Sequence, residues 1–327
     1  MKNNFKTIAV MTSGGDAPGM NAAIRAVVRT AIVKGINVLA INGGYEGMID
    51  GNFSEMNAES VGNIIHKGGT IIYTSRSERF RKPSWRKVAH EQLQKNNIDA
   101  VIIIGGNGSF AGAATFTSEF KIPFIGIPKT IDNDVFGTDY AIGFDTAINT
   151  ALDALDKIRD TANSHHRLFF VEVMGRDLGF LALYSGIAAG AEAILVPEIK
   201  TNMEDLIALL EKGWQRKKNS MIVVVAEGAV KGGVMNIAEQ VKMKFNHFDI
   251  RVSILGHIQR GGNPSCFDRV LASQLGNHSI QALLKGKKNV VIGMKNNKIS
   301  YTSFAEASSY KHTVDQNMLQ MANELTK

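Results

Sequence analysis

The chain has 327 residues, 44% hydrophobic and 20% charged, with a formal net charge of +7 and a pI near 9.3. Its length exceeds what one core usually supports and predicts two lobes, while its longest uncharged apolar runs are too short to cross a bilayer. The lysines and arginines are scattered and the aromatics, at 7%, include no stacking-rich basic segment, which argues against nucleic acid and for anionic small molecules as partners.

The first residues, MKNNFKTIAVMTSGGD, have a basic start, but a short apolar stretch runs directly into a glycine loop, unlike a signal peptide, so a cytoplasmic protein is expected. The single cysteine, Cys266, excludes an internal disulfide and any cysteine-cluster metal site. From 7 onward apolar runs alternate with helical patterns: TIAVM at 7–11, a helix over 21–35, DAVIIIGG at 99–106, a helix over 108–120, and PFIGIP at 123–128. The alternation continues with RLFFVEVMG at 167–175, a helix over 178–190, EAILVP at 192–197, a helix over 203–214, SMIVVVAEG at 220–228 and RVSILG at 251–256. Such strands, hydrophobic on both sides, predict mainly parallel sheets covered on both faces by helices. The expected fold is α/β, two Rossmann-like three-layer lobes, with ligands beyond the carboxyl ends of the strands in the cleft between lobes.

Three loops in the first half carry chemistry. TSGGDAPG at 12–19 has Gly14 and Gly15 before a helix, so its backbone can approach an anion at the helix N-terminus; a tight turn is the plainer alternative, since neither GxGxxG nor the Walker pattern is present. GGNGS at 105–109 repeats the design with Gly105, Gly106 and Gly108, and two such loops point to a polyphosphate. After PFIGIP come Thr130, Asp132 and Asp134. An Asx turn accounts for the aspartates alone, whereas phosphoryl transfer uses one carboxylate to accept the attacking hydroxyl's proton and another to orient a metal.

The second half supplies cations near strand ends: Arg167, Arg176, Arg251, His257 and Arg260. Arginine binds phosphate bidentately and keeps its charge, so the set predicts a second phosphate site. The basic clusters at 214–219 and 283–289 read as solvated helix ends, and the His165–His166 pair, with no carboxylate or cysteine at metal spacing, reads as structural.

TSGGDAPGMNAAIR, GGTIIYTSR, GGNGS, PKTIDND, VEVMGR and GHIQRGG stand in the order and spacing of bacterial 6-phosphofructokinase, and the chain resembles that family over essentially its whole length. The resemblance implies ATP-dependent phosphorylation of fructose 6-phosphate with Mg²⁺. It makes Asp132 the general base on the sugar 1-hydroxyl, supported by Thr130 and Asp134, with Arg176 on the transferring phosphoryl group. Gly15, Arg76, Ser77, Gly106, Asn107, Gly108, Ser109 and Lys129 fall in the donor site. Arg167, Arg251, His257 and Arg260 hold the sugar 6-phosphate, and Met174, Gly175 and Glu227 shape the sugar pocket. In the family, residues at the positions of Arg167 and Arg251 act from a neighbouring subunit, which implies a homotetramer. The corresponding division places 1–142 and 258–305 in a donor lobe, and 143–257 and 306–327 in a sugar-phosphate lobe.

Two positions depart from the family pattern. Asn107 stands where the family usually has an aspartate that serves Mg²⁺, which predicts a weakened metal site. Lys129 stands where ATP users usually have glycine and pyrophosphate users lysine, while Gly108 keeps the small residue of ATP users. Lys129 is expected to take over part of the neutralisation of the donor phosphates, and ATP ranks ahead of pyrophosphate as the donor. A catalytically weak, sugar-phosphate-binding regulatory chain is a third reading, opposed by the intact Thr130, Asp132, Asp134 and Arg176. Arg25 and Arg29, one helical turn apart, join Arg159, Glu192 and Lys218 by resemblance in an effector site for ADP or phosphoenolpyruvate. Ala58 lies where the family often has another arginine, so altered regulation is expected.

Overall fold

The computed structural model describes residues 5–245, 247, 249–310 and 314–325. Strand and helix alternate as β1 (Thr7–Thr12), α1 (Met20–Val33), β2 (Asn37–Ile41), α2 (Gly44–Asp50), β3 (Phe53–Met56), α3 (Pro83–Lys95), β4 (Ala100–Gly105), α4 (Asn107–Glu119), β5 (Phe124–Pro128) and α5 (Phe144–His165). They continue as β6 (Arg167–Val173), α6 (Phe180–Ala188), β7 (Ala193–Leu195), α7 (Met203–Gln215), β8 (Met221–Ala226), α8 (Gly233–Lys244), β9 (Asp249–Ile254), α9 (Cys266–Leu284), β10 (Val290–Lys295), β11 (Lys298–Ser303), α10 (Phe304–Ser309) and α11 (Gln316–Leu325). The chain divides into two compact units, Met1–Thr146 with Arg260–His312, and Ala147–Gln259 with Thr313–Lys327.

The first unit holds a seven-stranded sheet in the order β11-β10-β5-β4-β1-β2-β3. It is parallel except at its two edges, where β3 and β11 run antiparallel to β2 and β10. The two-residue period of a strand sends Ile8, Val10, Ile102, Ile104 and Ile125 into a core shared with Ile24 and Val28 of α1 and Leu271 and Leu275 of α9. It sends Ala9, Met11, Val101, Ile103 and Phe124 into an opposite core with Met48, Leu93, Phe110 and Phe116. Burial on both faces is why β1, β4 and β5 read as continuous apolar runs. Four strands fall outside those runs: β2, β3, β10 and β11. The edge strands β3 and β11 are only partly buried, so burial imposes no apolar run on them. The chain leaves β1 toward β2 and β3 on one side and returns to β4 and β5 on the other, a switch that opens a crevice beyond the carboxyl ends of β1 and β4.

The second unit has a parallel four-stranded sheet in the order β7-β8-β6-β9. Leu168, Phe170, Val223 and Val225 pack on Leu206 and Leu210 of α7 and on Ile237 and Val241 of α8. β9 forms an edge, with Ile254 57% exposed.

A buried carboxylate joins the starts of α5 and α9. Asp268 is fully buried and accepts from the N–H groups of Gly143 and Thr146, both at 2.8 Å, and from the Thr146 hydroxyl. Ser265 caps α9 by accepting from Asp268 N at 3.2 Å and donates to Asp145 Oδ2. Replacing Asp268 with Ala strips three donors of their acceptor in a dry setting. It is expected to lower unfolding free energy by about 3 kcal/mol, read from the midpoint shift in urea denaturation at unchanged m-value.

Candidate active site

In the first unit three loops converge beyond the carboxyl ends of the adjacent strands β1, β4 and β5. Ser13 N donates to Ile104 O at 3.0 Å, and Ser109 Oγ donates to Ser13 Oγ at 2.9 Å, so the two glycine loops are tied together. Asn107, Gly108 and Ser109 form the first turn of α4 behind Gly106; Ser109 N donates to Gly106 O at 2.9 Å, and the Asn107 and Gly108 N–H groups lie at the helix end, where an anion is attracted. Among the described residues no side chain caps this end. A Cβ at Gly108 meets nothing within 4 Å, so space beside the turn is open to a bulky ligand. Arg76 is exposed next to Ser77, whose hydroxyl accepts from Phe80 N at 3.0 Å and so fixes the turn.

The loop after β5 is folded by its own side chains. Thr130 Oγ1 accepts from Asp132 N at 3.1 Å. Asn133, at φ 50° in the left-handed region, donates to Asp139 O at 2.9 Å and accepts from Ala141 N at 2.8 Å; asparagine tolerates that backbone better than most residues. Asp132 is held at 6% exposure, and Asp134 is half-buried. Asn107 Nδ2 donates to the Asp134 carboxylate at 3.0 Å and to its carbonyl at 3.1 Å. Lys129 does not point into the open space. It is 2% exposed, and Nζ donates to Ser13 O at 3.1 Å and to Gly15 O. Its ammonium is held by the backbone of the glycine loop: a buried ammonium needs acceptors, and these carbonyls supply them.

Arg260 lies with the first unit, its Nη1 donating to Asp16 O at 3.1 Å. The remaining sugar-phosphate candidates belong to the second unit and form two groups. At the carboxyl ends of β6, β8 and β9 are Met174, Gly175, Arg176, Glu227 and His257. Arg176 has φ 53° and Gly175 φ 139°, an unusual backbone for arginine, and strain of this kind collects at functional sites. Glu227 Oε1 holds the turn by accepting from Arg176 N at 2.7 Å. Met174 N donates to Gln259 Oε1 at 3.3 Å, linking it to the exposed turn that carries His257. Arg167 and Arg251 sit at the opposite, amino ends of β6 and β9, where both donate to Asp249 Oδ2: Nε of each at 3.0 Å, and Arg251 Nη2 at 2.7 Å. The two guanidiniums pull the Asp249 carboxyl below its usual range against the opposing effect of desolvation. At a strand rise of about 3.3 Å per residue, roughly 15–25 Å separates them from Met174, farther than one arginine side chain reaches.

Of the effector candidates, Arg25 is half-buried and Arg29 exposed on α1. In the second unit Arg159 Nη2 donates to Ala189 O at 2.9 Å and Gly190 O at 3.1 Å. Glu192, 7% exposed, accepts from Ile222 N at 2.6 Å and pairs with Lys218 at 3.3 Å.

A phosphofructokinase family profile matches residues 7–283. The chain belongs to the phosphofructokinase family. It is 50% identical over 321 residues to an ATP-dependent 6-phosphofructokinase 2 of Bacteroides thetaiotaomicron, covering 98% of each chain. It is also 50% identical over 322 residues to an ATP-dependent 6-phosphofructokinase of Bacillus cytotoxicus, covering 98% of this chain and all of that one. Among solved structures, phosphofructokinase of Saccharomyces cerevisiae superposes with a TM-score of 0.89 at 35% identity, over 98% of this chain and 46% of the yeast one. A pyrophosphate-dependent phosphofructokinase of Marinobacter aquaeolei shares the fold, at 0.85 and 22% identity, over 98% and 92%.

The resemblance implies Mg²⁺ beside the donor, and the residues present can be tested for such an ion. Among the described residues no cluster of three or more His, Cys, Asp or Glu side chains can hold one. Among the described residues Asn107 Oδ1, which is buried, takes no hydrogen bond, while the amide nitrogen beside it meets the Asp134 carboxylate. These are hard oxygen donors, and Mg²⁺ ordinarily takes only one or two protein ligands along with phosphate oxygens and water, so the residues fit a sparse site of that kind. Three contributors were given no role by the sequence: Asn133 within PKTIDND, which shapes the carboxylate loop; Thr74 within GGTIIYTSR, which donates to Gly14 O at 2.8 Å; and Asp249. Asn133 carried a signal, an asparagine between two aspartates, whereas Thr74 and Asp249 act through neighbours distant in sequence or strand.

Proposed function

We infer that this chain is an ATP-dependent 6-phosphofructokinase, transferring the terminal phosphoryl group of ATP to the 1-hydroxyl of fructose 6-phosphate and so forming fructose 1,6-bisphosphate in glycolysis. The observation that carries the reading is the convergence of two tied glycine loops and a carboxylate loop on three adjacent strand ends, in a chain half identical over its full length to enzymes of that name.

The donor's phosphates lie along Gly15, Gly106, Asn107, Gly108 and Ser109, with Arg76 and Ser77 at the rim. Asp132 accepts the proton of the sugar hydroxyl as it attacks, Thr130 holds the Asp132 backbone, and Arg176 neutralises charge on the moving phosphoryl group. Met174, Gly175 and Glu227 position the sugar. Its 6-phosphate is held by His257 and Arg260 and, from a neighbouring subunit, by Arg167 and Arg251. The separation of the two groups along the strands supports that sharing, as does the edge strand β9 with Ile254 and, just beyond it, Ile258, each 57% exposed, a surface suited to cover by another copy. A homotetramer follows by resemblance, with Arg25, Arg29, Arg159, Glu192 and Lys218 as the ADP or phosphoenolpyruvate site. Among the described residues no helix is long and apolar enough to cross a membrane; a cytoplasmic location is proposed by resemblance to the family.

Mg²⁺ would be held by the Asn107 amide oxygen and the Asp134 carboxylate, and when bound it would neutralise charge on the donor phosphates. Asn107→Asp places two carboxylates at the present 3.0 Å contact, where like charges repel unless a cation sits beside them. Its expected result is a lower Tm than the parent without metal and a larger rise in Tm on adding Mg²⁺, read by thermal denaturation. The activity itself is tested with ATP labelled in its terminal phosphate: label recovered at the 1-position of fructose 1,6-bisphosphate supports the assignment, and unlabelled sugar overturns it.

A further inference from the structure

The glycine loop after β1 has its carbonyls held by side chains from elsewhere. Lys129 Nζ donates to Ser13 O and Gly15 O, Thr74 Oγ1 to Gly14 O, and Arg260 Nη1 to Asp16 O. Four consecutive carbonyls are thereby taken up by donors from three other segments. Among the described residues, the N–H groups of Gly15 and Asp16 donate to no partner, and both residues are exposed. Successive outward N–H groups make an anion-binding concavity, but a glycine-rich backbone holds no such shape by itself, because glycine has the widest choice of conformations.

We propose that Lys129 is a positioning residue for the phosphoryl donor: by clasping the Ser13 and Gly15 carbonyls from beneath, it keeps the N–H groups of the glycine loop presented to the donor's phosphates. The inference rests on the phosphotransferase reading above and gives the cation a different task from touching phosphate. A lysine here acts on donor binding through the loop, so its loss raises the donor's KM and leaves the acceptor's unchanged. Its proton is also labile. Burial, and to a lesser degree the nearby Arg260, push the ammonium down to about 8 against the opposing pull of Asp16, Asp132 and Asp134. Above that pH the amine is neutral, its hydrogen bonds to the two carbonyls weaken, and the loop loosens.

The test is steady-state kinetics of the full chain from about pH 6.5 to about 9.5, with ATP varied at saturating fructose 6-phosphate and the reverse. Lys129→Met is expected to raise the ATP KM about tenfold with the fructose 6-phosphate KM within about twofold. The parent's ATP KM should climb as pH passes about 8, while that of the variant stays flat. Thr74→Val frees only the Gly14 carbonyl, so it should raise the ATP KM by a smaller factor, about threefold, and keep the parent's pH dependence. The parent's pH profile and Thr74→Val test the inference even where Lys129→Met does not fold. An ATP KM unchanged in Lys129→Met, a fall in kcat at constant ATP KM, or a parent profile flat across pH 8 would overturn it. A parent that phosphorylates no fructose 6-phosphate would overturn the activity reading, and this inference with it.

Discussion

Replacing Asp132 with Ser is expected to lower turnover by at least about 100-fold while the KM for fructose 6-phosphate stays within a few-fold of the parent. The carboxylate contributes in the transition state, when the sugar hydroxyl gives up its proton, more than in the ground state, so the loss falls on kcat and kcat/KM together. The loop should survive the change. Its shape comes from the Thr130 contact to the Asp132 backbone and from the left-handed Asn133, pinned to Asp139 and Ala141, and none of these uses the Asp132 side chain. Steady-state kinetics with a far-ultraviolet circular dichroism spectrum check both halves of the expectation. Turnover within a few-fold of the parent would remove Asp132 from the proton transfer.

Replacing Arg251 with Ser should act on binding instead. A charge-assisted contact to phosphate contributes roughly 1.5–3 kcal/mol, so the KM for fructose 6-phosphate is expected to rise about 10- to 100-fold with kcat much less affected. In the free chain Arg251 pairs with Asp249 at a site where both side chains are about half exposed. Such surface pairs contribute little, which leaves the guanidinium ready to exchange its carboxylate for a phosphate. Because Arg251 lies toward the amino end of its strand, away from Met174 and Arg176, mixing Arg251→Ser subunits with Asp132→Ser subunits should recover activity that neither has alone: a hybrid site draws Asp132 from one chain and Arg251 from another. Activity in the mixture that is only the sum of its parts would place the whole site within one chain.

The central strands and the loops beyond them were legible because burial and chemistry each leave a local mark. β1, β4, β5, β6 and β8 are apolar on both faces, and the glycines and aspartates that follow them are residue types with few other uses in that order. The edge strands β3 and β11 leave no such mark, since solvent on their outer sides accepts polar residues. The direction of Lys129 was not legible either. Its sequence position puts a cation next to the donor loops, but whether that cation meets phosphate or carbonyl depends on the Ser13 and Gly15 oxygens, more than a hundred residues away along the chain and adjacent through the parallel pairing of β1, β4 and β5. Asp249 was hidden for a related reason. Its partner Arg167 is directly opposite only in the register of β6 with β9.

The most direct test of the account is formation of fructose 1,6-bisphosphate by the purified chain with ATP or with pyrophosphate as donor, each with and without Mg²⁺. Two glycine loops, open space beside Gly108 and the oxygen site proposed at Asn107 and Asp134 predict rapid product formation with ATP and Mg²⁺ and little with pyrophosphate. Efficient turnover with pyrophosphate and none with ATP would contradict the donor assignment, and no product with either donor would contradict the assignment of a kinase.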